Sequence, residues 1–263
     1  MIKDLEYKGY CVIKNFLGND ILEKLQNEYL TSNSSDKNKN YTLTLSKFPL
    51  NEIVSPIVKL IRQDTDILVD ITANSGVFFD NSQINFNWHQ DHEPYYMFQD
   101  SYNALNFWIP IIKESPNKSG ISIIPHDQLK IKCPHLFDSE IKGKGAKSIK
   151  NVEGKSIIVD DNIGKNIDLT FDITLLAISP ELNPGDLLIL RQDIFHKTQD
   201  IETKRVAISI RAYNSNTILK KDVLLSGGNV KKRMIKDNPE PYESILNYFN
   251  EHSLNECYLR DVF

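Results

Sequence analysis

Arg205-Val206-Ala207-Ile208-Ser209-Ile210-Arg211-Ala212-Tyr213 alternates in character without a break. On an extended strand successive side chains leave from opposite faces, so Arg205, Ala207, Ser209 and Arg211 share one face and Val206, Ile208, Ile210 and Ala212 the other. The apolar face needs a core to cover it. The opposite face, two guanidinium groups separated by small residues, suits a strand that lines a cavity holding a carboxylate. Arg can clamp such a group through two parallel charge-assisted hydrogen bonds, while Ala and Ser leave room for it. The competing reading, two arginines facing solvent on an outer strand, is decided by what the rest of the chain supplies.

Outward from this strand, short runs rich in branched and aromatic residues recur at 67–71, 76–79, 84–88, 104–110, 120–125, 156–159, 169–178 and 187–190. Runs this short and closely spaced predict a mainly β sandwich or barrel rather than alternating β and α units. Helical spacing appears at the two ends. A short strand near Gly9 leads to a helix over 19–30, capped by Asn19 or Asp20 and apolar at Ile21, Leu22, Leu25, Tyr29 and Leu30. A second helical pattern, through Ile53, Ile57, Leu60 and Ile61, must be kinked by Pro56 or carry it in its first turn. Near the C-terminus Tyr242, Ile245, Leu246 and Phe249 predict a helix packed on the outside of the sheet. The polar stretch 31–41 reads as a loop. Residues 127–180 scatter Lys142, Lys144, Lys147, Lys150 and Lys155 among Gly and Ser, which reads as a solvated insertion with a hairpin, or as a lid or basic rim for an anionic substrate. The expected organisation is one domain: helical support over 1–66, a β core over 67–213 carrying that insertion, and an extension over 214–263.

A net charge of −4 and a pI near 5.9 leave no basic footprint for nucleic acid. Cys11, Cys133 and Cys257 are odd in number and scattered, which fits free thiols in a reducing compartment. With no apolar run of signal-peptide or bilayer-spanning kind, a cytoplasmic protein is expected, its oligomeric state open.

The chemistry concentrates in Asn85-Phe86-Asn87-Trp88-His89-Gln90-Asp91-His92. His89 and Asp91 lie two apart, so on a strand both point the same way and can grip one metal ion. An imidazole and a carboxylate are two thirds of the 2-His-1-carboxylate set that holds non-haem Fe(II) with positions left open. Six His and 35 acidic residues supply about 0.8 such His-x-acid pairs by chance, so the pair needs context. His196 and His126 are the candidates for the third ligand. Position favours His196, just past the buried run after Pro184-Gly185-Asp186, where the mouth of a barrel would be. Trp88, His92, Tyr95, Tyr96, Phe98 and Tyr102 follow the pair closely enough to line a substrate pocket, or equally to form core.

Taken together, the sequence resembles the phytanoyl-CoA dioxygenase family of Fe(II)- and 2-oxoglutarate-dependent oxygenases. The resemblance is carried by Gly9-Tyr-Cys-Val-Ile-Lys-Asn-Phe-Leu17, Trp88-His-Gln-Asp91, Asn106-Phe-Trp-Ile-Pro110, Gly120-Ile-Ser-Ile-Ile-Pro125, Gly185-Asp-Leu-Leu-Ile-Leu190 and His196 followed by Arg205, in family order. It implies a double-stranded β-helix, a cupin-like jelly roll with flanking N-terminal and C-terminal helices. Fe(II) would be held by His89, Asp91 and His196. Arg205, helped by Thr198, would bind the distal carboxylate of 2-oxoglutarate, with Trp108 near that cosubstrate and Asn106 a polar neighbour. Nine positions separate His196 from Arg205, a tighter loop than the resemblance implies, which keeps Arg211 as a second clamp. Where the family has Gly-Ser-His after the proline, this chain has His126-Asp127-Gln128. The implied reaction converts 2-oxoglutarate and O2 to succinate and CO2 and hydroxylates a small metabolite; Asp91 fills the position a halogenase would leave to chloride. Two alternatives are a cupin-type metalloenzyme, a non-redox sugar isomerase or lyase, and a relative that only binds a ligand.

Overall fold

The structure, a computed structural model, describes residues 2–31, 50–72, 77–81, 85–237 and 239–263. Nearly all of the loop expected at 31–41 lies outside them, as do Gly76 and Ile84 at the starts of two expected strands. In chain order the described strands are β1 Tyr10–Ile13, β2 Ile71–Thr72, β3 Val77–Asp80, β4 Ala104–Lys113, β5 Ile121–Ile123, β6 Lys147–Val152, β7 Lys155–Asp160, β8 Lys165–Asp168, β9 Leu187–Arg191, β10 His196–Thr198, β11 Arg205–Tyr213, β12 Ile218–Lys220 and β13 Glu256–Tyr258.

The major sheet runs β1-β9-β4-β11-β2, with β3 also paired to β11. Its long central pair is antiparallel, from Arg205 opposite Lys113 to Tyr213 opposite Ala104. The alternation of β11 is realised: Val206, Ile208, Ile210 and Ala212 join Leu105, Phe107, Ile109 and Ile111 of β4 in one apolar core. The helices Asn19–Thr31 and Leu50–Asp64 cover that core with Leu25, Tyr29, Val54, Ile57, Val58 and Ile61. Pro56 sits inside the second helix, past its first turn, on the exposed side. An interior proline costs about 3 kcal/mol, whereas each buried Val or Ile contributes roughly 1.5–3, so the four apolar anchors decide the matter.

The opposing sheet pairs β10 with β5 and β6-β7-β8 with one another. The stretch 86–91 joins the two halves, since His89 bridges both His196 and Ser148. Phe86 exchanges bonds with Thr198, and Gln90 N donates to Lys147 O. The strand expected at 84–88 is not formed at the described residues 85–88; regular pairing there is confined to the bridge at His89. Between the sheets, Trp108, Ile121, Ile123, Leu182, Leu188, Leu190, Ile194 and Ala207 fill the interior. The fold is a jelly roll with flanking helices.

Several expectations are corrected. The run at 67–71 becomes strand only at Ile71–Thr72, and 169–178 holds a 3-10 turn, Ile173–Leu176, whose start is capped by the Asp172 side chain accepting from Thr174 N. The insertion is not merely solvated: Leu129, Phe137, Ile141, Ile149, Ile158 and Ile173 make their own core with Ile124 and Phe195, and Lys147 is buried against Asp160 at 3.1 Å. The C-terminal helix Glu240–Glu251 does not lie on the outside of the sheet. Its Tyr242, Ile245 and Phe249 pack with Tyr96, Met97 and Phe98 of the helix Glu93–Phe98, next to the metal pair.

Candidate metal centre

His89 and His196 face each other across an antiparallel rung in which each backbone N–H donates to the other's carbonyl, at 3.0 and 2.9 Å. Side chains of such a pair leave from one face, and the imidazole rings stand 4.4 Å apart. Each Nδ1 lies against a carbonyl oxygen two residues before it, Asn87 O at 2.7 Å and Ile194 O at 3.1 Å. A carbonyl only accepts, so each Nδ1 carries the proton and each Nε2 keeps its lone pair for a metal. Both Nε2 atoms converge on Asp91 Oδ1, at 3.6 Å from His89 and 3.5 Å from His196. One ligand atom from each of the three lies within 4.8 Å of the others, a spacing suited to one ion.

Asp91 is held from behind. Its Oδ2 accepts from Arg211 Nη1, and the same nitrogen donates to Gln192 Oε1 at 2.8 Å. Burial alone would raise the Asp91 pKa, but Arg211 first and then His196 and His89 override it and hold the carboxyl well below the usual range. One oxygen is therefore oriented and the other is left for a metal. Burial, reinforced by His89, pushes the His196 imidazole down to about 4, which keeps it neutral.

Arg205 is buried in the interior, its Nε donating to Ser119 O at 3.0 Å and its guanidinium lying 5.0 Å from the centre of the Trp108 ring. Trp108 Nε1 is buried with no acceptor. Thr198 Oγ1 accepts from Phe86 N at 3.0 Å and keeps its own hydrogen to donate. Asn106 and Ser209 are joined to each other, Ser209 Oγ donating to Asn106 Oδ1 at 2.7 Å. Arg211, the second clamp considered from the sequence, is engaged by Asp91 and Gln192 instead.

His126 is outside the metal group. It is buried with its Nε2 3.8 Å from Asp193 Oδ1, and burial pushes its pKa down to about 4. Of the pocket candidates, Trp88 has the opposite strand parity to His89, lies under the Lys197 ammonium at 5.2 Å and packs with the insertion's core, away from the metal face. Tyr96 is core at 1% exposure. His92 stays beside the site, its ring 6.3 Å from that of His89 and its Nε2 2.9 Å from Asp161 Oδ2, with Tyr95 half-buried nearby. Sequence reasoning did not select Gln192, Asp161 or Lys113. Only the Gln192-Asp193 dipeptide ahead of His196 offered a signal.

No family model matches the sequence, and no curated protein matches it. Among solved structures it is similar to EctD from S. alaskensis in its apo form, with a TM-score of 0.53 and 12% identity over 86% of this chain and 80% of that one. EctD with 2-oxoglutarate and 5-hydroxyectoine matches at 0.53 and 12% identity, over 83% of this chain and 77% of that one. SnoN, a non-heme alpha-ketoglutarate-dependent epimerase from nogalamycin biosynthesis, matches at 0.52 and 11% identity, over 82% of each chain. The chain has the jelly-roll fold of these proteins. At such identities the likeness extends to the fold alone.

Proposed function

We propose that this chain is an Fe(II)- and 2-oxoglutarate-dependent dioxygenase that hydroxylates a C–H bond of a small molecule, within or near the phytanoyl-CoA dioxygenase family. One observation carries the reading: two imidazole Nε2 atoms and one carboxylate oxygen converge in a jelly roll whose interior also holds the buried Arg205 guanidinium, which makes no salt bridge among the described residues, and the Trp108 indole N–H, which has no acceptor. Orphaned buried donors are costly unless a ligand accepts from them. A dicarboxylate cosubstrate fits that set, whereas a cupin-type sugar isomerase would need the metal ligands but neither Arg205 nor Trp108. The similar structures include one with 2-oxoglutarate bound, EctD.

Bound together, Fe(II) and 2-oxoglutarate supply the oxidation of a substrate C–H bond by O2, with succinate and CO2 as co-products. The chain's residues bind and orient. His89, Asp91 and His196 would hold the metal, with their Nε2, Oδ1 and Nε2 atoms free to face it. Arg211 keeps Asp91 ionised and aimed. Arg205 clamps the distal carboxylate, and the Thr198 hydroxyl donates beside it. Trp108 walls the cavity and excludes water. His92 and Tyr95 edge the substrate side. We read the three cysteines, all free, as marks of a cytoplasmic enzyme.

Anaerobic addition of Fe(II) and 2-oxoglutarate to metal-free protein is expected to give the visible charge-transfer band of the chelate, and oxygen should then release succinate. Absence of both sinks the proposal. Arg205→Ala should raise the 2-oxoglutarate concentration for half-maximal succinate release by about 10–1000-fold, with metal binding retained. An unchanged requirement would remove Arg205 from its role.

A further inference from the structure

We infer that Lys113 is a second cation of the cosubstrate pocket and that, with Arg205, it selects a 2-oxo acid bearing a distal carboxylate. This rests on the dioxygenase reading above.

The backbone places Lys113 there through an irregularity. Leu105, Phe107, Ile109 and Ile111 of β4 all face the core beneath the helices, and an unbroken strand would send Lys113 to the same apolar side. The register with β11 steps from Ala207 opposite Pro110 to Val206 opposite Ile112, skipping Ile111. Such a bulge reverses the parity beyond it. Ile112 therefore packs against the core, and Lys113 comes to stand opposite Arg205.

Lys113 Nζ is enclosed and has no hydrogen-bond partner. Among the described residues neither Lys113 nor Arg205 forms a salt bridge. Two like charges directly opposite on a sheet repel, and a buried charge without a counterion is expensive, so the arrangement calls for an anion. The same short segment embraces both side chains: Arg205 Nε donates to Ser119 O, and a Cβ on Gly120 would stand 3.3 Å from Lys113 Nζ. The nearby acids are committed elsewhere: Asp80, whose charge acts on Arg205, accepts from the Tyr29 hydroxyl at 2.5 Å. Asp200 accepts from Ser119 N and Oγ, and Asp186 from Lys14, Asn15 and Asn183.

Burial first, then Arg205, pushes the Lys113 ammonium down to about 8; Lys14 acts in the same direction, while Asp200 and Asp186 oppose it. A carboxylate arriving between Lys113 and Arg205 would raise that value. Binding should thus take up a proton above about pH 8, and affinity should fall as the pH rises through that range.

The test measures dissociation constants for 2-oxoglutarate and for 2-oxopentanoate, which lacks the distal carboxylate, on the Mn(II)-loaded protein between pH 7 and 9. Wild type should prefer 2-oxoglutarate, lose part of that preference toward pH 9, and show proton uptake in buffers of differing ionisation enthalpy. Lys113→Met should cut the preference by about tenfold or more, by weakening 2-oxoglutarate alone, and should flatten the pH dependence. Lys113→Arg should restore it. Should Lys113→Met not fold, the wild-type pH profile and proton uptake decide. A Lys113→Met protein with unchanged preference and pH profile, or a wild type with neither pH dependence nor proton uptake, overturns the inference and leaves the dioxygenase reading standing. A wild type that does not bind 2-oxoglutarate at all overturns both.

Discussion

Asp91→Ala is expected to abolish stoichiometric metal binding and to lower turnover by well over a hundredfold. Asp91 supplies the oxygen on which both imidazole Nε2 atoms converge, at 3.6 and 3.5 Å. Its other oxygen neutralises Arg211, so the substitution also leaves a guanidinium uncompensated beside two imidazoles, which repels a cation as well as failing to hold one. Losing a partner outside the ligand set already costs about 10–100-fold in metal affinity or activity. Losing a ligand should cost more. Arg211→Ala is the informative control: Asp91 remains as ligand without its orienting partner, so the metal should bind about 10–100-fold more weakly and still support turnover. Titration with Mn(II) and metal content after dialysis measure both. An Asp91→Ala protein that retains one tightly bound metal ion would show that the ion sits elsewhere.

A comparably large effect, on stability rather than catalysis, is expected from Asp193→Ala. Asp193 and Arg191 are both fully buried, with Arg191 Nε donating to Asp193 Oδ1 at 2.9 Å and a second guanidinium nitrogen to Oδ2. Gly143 N donates to the same carboxylate at 2.6 Å, and His126 stands on its other side. Burial would raise the pKa of this carboxyl, but Arg191 and then His126 hold it below the usual range, so it is charged. Removing it strands a buried guanidinium and a backbone donor, at about 3–5 kcal/mol. At roughly 2–4 °C per kcal/mol for a chain approaching this size, the melting temperature should fall by about 6–20 °C. The molecules that remain folded should bind metal normally, because none of these contacts touches the ligand set. Replacing both residues with apolar ones, Arg191→Met with Asp193→Leu, should cost less than the single change. A single variant melting within about 2 °C of wild type would show that the pair is dispensable.

What the sequence revealed follows the reach of each interaction. The β11 strand was legible because its alternation is strict and its apolar face has one possible environment, while the environment of the polar face needed the histidines elsewhere in the chain. His89 and Asp91 were legible because a spacing of two has a direct geometric meaning. The helix Glu93–Phe98 was not, since six residues rich in aromatics have weak preferences of their own and are held by the C-terminal residues packed against them. The same contact misplaced the C-terminal helix: amphipathic spacing says that a helix has a buried face and is silent about what buries it. The 169–178 run misled because Ile173, Leu175 and Leu176 read as a strand, whereas a single Asp172 cap turns them into a 3-10 segment. Arg211 was read by face and could not be read by partner, which lies 120 positions away in the chain. Lys113 was hidden by one skipped residue, which no count along the strand discloses.

The rung that joins His89 to His196 has a consequence for how the protein is made. The two imidazoles are separated by about a hundred positions of chain, and closing a loop of that length is entropically costly until many other contacts are in place. Segments released early from the ribosome would carry His89 and Asp91 with no third partner, and so would have little hold on a metal ion. On the proposed reading the ion would in this sense be a late passenger: its capture would wait for His196 to be made and for the sheets to close around the rung, and it would not serve as the nucleus around which they form.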